Sequence, residues 1–142
     1  MKIKQLSIFI ENKPGHLAKV CRLLSGANIN TTTLSIADTR EFGIVRLMVK
    51  EWARARDILK ENGIAVNVAD VVAVEVPDSP GGMTAVLDTL DAAGANIEYN
   101  YAFSFAPGRK AVLVFRFSNP DDAVAALSKA GFALVGAEAL FS

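Results

Sequence analysis

Two short stretches carry the residue types that could do chemistry. Residues 11–16 read ENKPGH and residues 78–82 read DSPGG. Each follows an apolar run and precedes a helical pattern, so a Pro-Gly pair falls where a strand ends and a helix begins. The first amides of a helix lack intrahelical partners and carry partial positive charge. Such a junction can hold a carboxylate or a phosphate. Gly15, Gly81 and Gly82 leave the backbone uncovered there, open to close approach. The plainer alternative is that Pro-Gly merely starts a helix. Its occurrence twice, each time followed by the word GANI, weighs against that. Within GANI, Asn28 and Asn96 offer donors and an acceptor to a polar group, or they are helix-end residues that tolerate unusual dihedrals.

Little else points to catalysis. His16 is the only histidine, so two-histidine metal ligation is excluded, and no metal or cofactor is expected. It falls at a helix N-terminus, where the dipole disfavours its charged form. It reads as a surface histidine, with a pocket-lining role as the alternative. Cys21 is the only cysteine, which excludes an intramolecular disulfide. It lies in an apolar helical pattern and is expected in the core, not as a nucleophile. No Ser-His-Asp spacing, P-loop or GxGxxG occurs. Asp38, Glu41, Asp57 and Glu61 fall on a hairpin and an exposed helix face, where they are solvated. The chain is expected not to be an enzyme.

Composition narrows the class further. Fifteen Lys and Arg balance fifteen Asp and Glu in 142 residues, so no basic stripe suggests nucleic acid. No run reaches the roughly 18 apolar residues of a membrane span. The N-terminal MKIKQLSIFI alternates like a strand and has no signal-peptide cleavage site. A cytoplasmic protein with neither a membrane nor a nucleic-acid partner is expected.

The elements that must position the turns occur twice. PGHLAKVCRLLSGANI (14–29) matches PGGMTAVLDTLDAAGANI (80–97), FGIVRLMV (42–49) matches KAVLVFRF (110–117), and ARDILKENGIAV (55–66) matches AVAALSKAGFAL (123–134). The spacing is 66 at Pro14/Pro80 and 68 at Gly26/Gly94, which places a two-residue deletion at the end of the first helix of copy one. Leu6, Ile8 and Ile10 alternate on one strand face. Pro14 suits the first turn of the following helix. Leu17, Val20, Cys21 and Leu24 form its apolar stripe, and Gly26 ends it. A hairpin around DTREFG follows, with Val45, Leu47 and Val49 buried. A second helix carries Ala55, Ile58 and Leu59 and stops at Gly63; Ala123, Ala126, Leu127 and Gly131 repeat it. The order β-α-β-β-α-β is the split βαβ pattern. Its expected solution is an α+β fold, an antiparallel sheet with both helices on one face. Domains are placed at 1–70 and 71–142, and VNVADVVAVEV (66–76) joins them as strand running into strand.

The turn ENKPGHLAKV, the word GANI and the hairpin ADTREFGIVRLMV together resemble an ACT domain, the small regulatory amino-acid-binding module. The resemblance covers nearly the whole chain, as two ferredoxin-like ACT domains in tandem with no catalytic domain. FGIVRL is most similar to stand-alone tandem ACT proteins of bacteria. The resemblance implies domains paired side by side and a free amino acid lodged between one Pro-Gly turn and the other domain's region after its first helix. One such site joins Asn12, Gly15, His16 and Leu17 to Asn96 and Ile97. The other joins Asp78, Gly81, Gly82 and Met83 to Asn28 and Ile29. Some relatives use a histidine just before the turn, where this chain has Ile10 and Val76. Asp78 attracts an ammonium but repels a carboxylate, and the shortened helix alters the wall at Asn28, so the Asn12/Asn96 site is expected to bind more tightly. The implied function is a regulatory sensor of amino acids. The alternatives are a regulatory subunit of an amino-acid biosynthetic enzyme such as acetolactate synthase, or a structural homo-oligomer with decayed ligand sites.

Tyr99, Tyr101, Phe103 and Phe105 alternate along one strand. Aromatics on such a sheet can stack RNA bases, but that role would place them on the first and third strands, whereas they lie on the second strand of copy two and the net charge is zero. Burial against a second copy, in a homodimer, is the expectation.

Overall fold

Alternation sets the strands and determines which face each one buries. In β1 (Ile3–Glu11) the residues Leu6, Ile8 and Ile10 are buried. In β3 (Phe42–Met48) Val45 and Leu47 lie directly opposite Ile8 and Leu6, on the same face. The structure is a computed structural model that describes residues 1–38, 40–104 and 110–141. The chain divides into two compact units, one of residues 4–69 with Phe141, the other of residues 1–3 and 70–140. No helix among the described residues is long and apolar enough to cross a membrane.

The first unit has antiparallel strand order β2–β3–β1, with β2 (Thr33–Asp38) at the edge. Helices α1 (His16–Gly26) and α2 (Trp52–Glu61) cover one sheet face through Val20, Leu24, Ala55 and Leu59. Cys21 corrects the sequence expectation: it is exposed. The buried faces of Val20 and Leu24, flanked by the half-buried Leu17 and Ala27, centre the apolar stripe away from it, so Cys21 marks the outer margin of the stripe.

The second unit repeats the plan. β4 (Ala65–Pro77) runs without a break from copy one into copy two, and its stretch Val71–Val74 is buried throughout. Then follow α3 (Gly82–Ala92), β5 (Ile97–Ser104), β6 (Lys110–Phe117), α4 (Pro120–Lys129), β7 (Ala133–Val135) and the short α5 (Ala137–Leu140). The strand order β5–β6–β4–β7 is antiparallel throughout. Val72, Val74, Leu113, Phe115 and Phe117 meet Val86, Leu90, Ala123 and Leu127 in the core.

The two copies differ at another place than the sequence suggests. α1 and α3 have 11 residues each and start 66 apart (82 minus 16), so the first helix is not shortened. Ile36 opposite Val45 and Ala102 opposite Leu113 keep β2 and β5 at the same spacing of 66 (102 minus 36), while β3 and β6 are 68 apart (113 minus 45). The two extra residues therefore fall in the second hairpin, where five positions (105–109) separate the strands against three (39–41) in the first. The word GANI thus occupies different stations. Gly26 is the last residue of α1, and the left-handed residue past the helix end is Asn28 (φ 58); in copy two that place belongs to Gly94 (φ 69). Asparagine visits this region more readily than other non-glycine residues. Asn28→Ala is expected to cost about 1–2 kcal/mol and Asn28→Gly nothing, readable from urea unfolding midpoints.

A bulge aims the aromatic row. Ile97 pairs with Phe117 and packs toward the core, but the register shifts before Tyr99, which faces Arg116. The extra residue flips the alternation. Tyr99, Tyr101 and Phe103 therefore share with Val114 and Val112 the face turned away from α3 and α4 and are half-buried, while Asn100, Ala102 and Ser104 share the face of Leu113 and Phe115. Phe105 lies outside the described residues.

Candidate functional site

Both Pro-Gly pairs build the same turn. The His16 amide donates to the Lys13 carbonyl (3.4 Å), and the Gly82 amide to that of Ser79 (3.1 Å). Gly15 and Gly81 both have φ 92. Proline second and a left-handed glycine third define a type II turn, a conformation glycine adopts without strain. The glycines are also the helix N-caps, and no side chain caps either helix. Pro14 therefore precedes the cap instead of entering the first helical turn. The first helical bonds run from Lys19 to Gly15 (2.9 Å) and from Ala85 to Gly81 (3.0 Å). The amides of residues 17 and 18, and of 83 and 84, thus have no partner within their helices and point out of the helix end.

The second turn is wound more tightly. Gly82 stands where the first turn has His16, and a Cβ on Gly82 would collide with the Pro77 carbonyl oxygen. Beside this turn lies a cavity of about 370 Å³. Val76, Ala102, Ala111 and Leu113 form its floor, and Asp78 and Met83 stand at its rim. Ser104 Oγ donates to Asp78 Oδ2 at 3.3 Å, which holds the carboxylate beside the cavity and leaves its other oxygen to accept. In the first unit the Ile36 side chain, counterpart of Ala102, reaches into the matching place: a Cβ on Gly43 would sit 3.6 Å from Ile36 Cδ1.

The first unit has a different cleft, of about 210 Å³, between the start of α1 and the turn that follows α2. Glu11, His16 and Lys19 line it opposite Asn62, Gly63 and Ile64. His16 is half-buried there. Lys13 Nζ, 2.9 Å from Glu11, holds that carboxyl below its usual range, chiefly by hydrogen bonding and then by charge. Among the described residues no group of three or more His, Cys, Asp and Glu is placed to hold a metal ion.

The remaining sequence-selected residues have mixed placements. Asn12 is exposed, and its backbone N–H donates to the Glu41 carbonyl at 2.8 Å. Asn28 serves the backbone, and Ile29 is a core residue, 5% exposed. Asn96 donates through Nδ2 to Ser118 Oγ at 2.8 Å. Leu17 and Ile97 are half-buried against the cores of their units. Within the second unit the fold brings Asp78 and Met83 together with Ala102 and Ser104, two residues that sequence reasoning missed. Their signal was present as the small residues alternating with the aromatics in YNYAFS.

The profile of the ACT domain pair matches residues 1–141, and the chain belongs to that family. Protein BT0572 from Bacteroides thetaiotaomicron is 42% identical over 100% of this chain and 97% of its own, with a TM-score of 0.93. The ligand-free regulatory subunit of aspartate kinase from Thermus thermophilus superposes with a TM-score of 0.64 at 19% identity, over 90% of this chain and 92% of its own. Its counterpart from Thermus flavus gives 0.63 at 18%, over 89% and 91%. Both share the fold. No curated protein matches.

Proposed function

We propose that the chain is a cytoplasmic regulatory sensor that binds a free amino acid and passes its occupancy to a metabolic enzyme or to its own assembly. The observation that carries this reading, and that moves the proposed site from the Asn12 turn favoured by the sequence to the second turn, is the cavity there, with the Asp78 carboxylate at its rim and an apolar floor. An ammonium would meet Asp78 in a charge-assisted hydrogen bond. The ligand carboxylate would turn away from Asp78 to the amides of Met83 and Thr84 at the start of α3, where the helix dipole favours it. The Thermus proteins are by name regulatory subunits of an enzyme, and a similar role without turnover of its own fits this chain. Regulation requires that the ligand prefer one of two states. A thermal-shift screen of the twenty amino acids tests the reading. A ligand at a hundred times its Kd adds about 2.7 kcal/mol, and at least one amino acid should raise Tm in proportion to its concentration. No shift with any of them contradicts the reading.

The chain is also proposed to form a homodimer through β5. This strand ends the sheet of its unit, and edge strands with apolar neighbours favour association. Tyr101→Lys places a charge in that contact and should shift the equilibrium toward monomer. Sedimentation at micromolar concentration should give a dimer for the wild type; a wild-type monomer would contradict the assembly.

A further inference from the structure

We propose that the cavity of the second unit accepts an amino acid with a short, uncharged aliphatic side chain, and that Ala102 sets the limit on its size. This rests on the amino-acid reading above and adds what the site selects. Ala102 lies opposite Leu113 as Ile36 lies opposite Val45, and Ser104 lies opposite Ala111. In the first unit the Ile36 side chain reaches over Gly43, with Cδ1 3.6 Å from the site of a Cβ there. Ala102 lacks the three carbons that isoleucine carries beyond Cβ. The room it leaves is therefore that of a valine-sized group, on a floor shared with Val76, Ala111 and Leu113.

Charge and polarity then choose among amino acids. Among the described residues that line the cavity, Asp78 is the one ionisable group. It serves the ligand ammonium. An acidic side chain would face the same carboxylate and be repelled. A lysine or arginine side chain would find no second carboxylate on the floor. A polar side chain would give up water against Val76, Ala102 and Leu113, whose side chains offer no hydrogen bond in return. An aromatic ring would extend past the room left by the missing isoleucine carbons into the open part of the cavity and keep more of its apolar surface in water.

Calorimetric titration of valine, leucine, phenylalanine, aspartate and lysine into the wild type, Ala102→Ile and Ala102→Gly tests the inference. Valine or leucine should bind the wild type at least tenfold more tightly than the other three. Ala102→Ile should lose tenfold or more in affinity, and Ala102→Gly should improve leucine relative to valine. Ala102 is exposed on an edge strand, where a β-branched residue is favourable, so the isoleucine variant folds; Ala102→Val gives an intermediate check. If aspartate, lysine or phenylalanine binds best, or Ala102→Ile binds as the wild type does, the inference is overturned while the amino-acid reading stands. If none of the twenty amino acids binds the wild type, both fall.

Discussion

Phe115→Ala lowers the stability of the second unit by about 3–5 kcal/mol, the usual cost of emptying a buried phenylalanine site. Phe115 is fully buried and stacks on Phe117 with ring centroids 5.3 Å apart. On the sheet it lies between Val72 of β4 and Asn100 of β5, with α3 and α4 above through Val86, Leu90, Ala123 and Leu127. Its neighbours sit on regular strands and helices and cannot collapse fully into the space, so the cavity term adds to the lost transfer energy. Typical domains have only about 5–15 kcal/mol in total, so the variant is at the margin of folding. Phe115→Leu keeps most of the volume and should cost about 1.5 kcal/mol or less. Urea unfolding followed by circular dichroism separates the two. An alanine variant within about 1 kcal/mol of wild type would show that the Phe115–Phe117 stack does not hold this core.

Gly82→Ala is expected to damage both the second turn and its ligand site. The added Cβ meets the Pro77 carbonyl oxygen, a backbone atom that can retreat only if the turn opens. Strain of this kind costs about 1–3 kcal/mol. Opening the turn displaces Asp78 and Met83, which flank the cavity. Amino-acid affinity should fall more than tenfold. His16→Ala, at the matching place in the first turn, already has a Cβ and should leave that turn intact. The pair is checked by unfolding midpoints together with titration. If Gly82→Ala binds ligand as the wild type does, the turn does not shape the site.

Much of this fold was legible because its periodicities are strong. Leu6, Ile8 and Ile10, and Val45 and Leu47, alternate cleanly and are buried as alternation requires. Gly63 and Gly131 end α2 and α4 with positive φ, as their sequence positions imply. The errors have physical causes. GANI reads as one motif, yet its glycine is helical in copy one and left-handed in copy two, because Asn28 can take the left-handed place itself. Sequence matching therefore put a deletion in a helix when the length difference lies in a hairpin. Cys21 was read into the core because a helical stripe has no sharp margin in sequence. The aromatic row was seen, but the bulge before Tyr99 was not, since nothing in the residue types marks it. The small residues Ala102 and Ser104, which open the cavity, were hidden by the aromatics between them. Of the residues selected around the turns, Ile29 proved to be core, and Asn96 is engaged with Ser118.

The central claim, that a free amino acid lodges at the second turn, is tested most directly by amide chemical-shift mapping of the isotope-labelled chain titrated with each of the twenty amino acids. Saturable shifts are expected for at least one of them, concentrated at Asp78, Ser79, Gly82, Met83, Ala102 and Ser104. Shifts concentrated instead at His16, Lys19 and Ile64, or none with any amino acid, would contradict it.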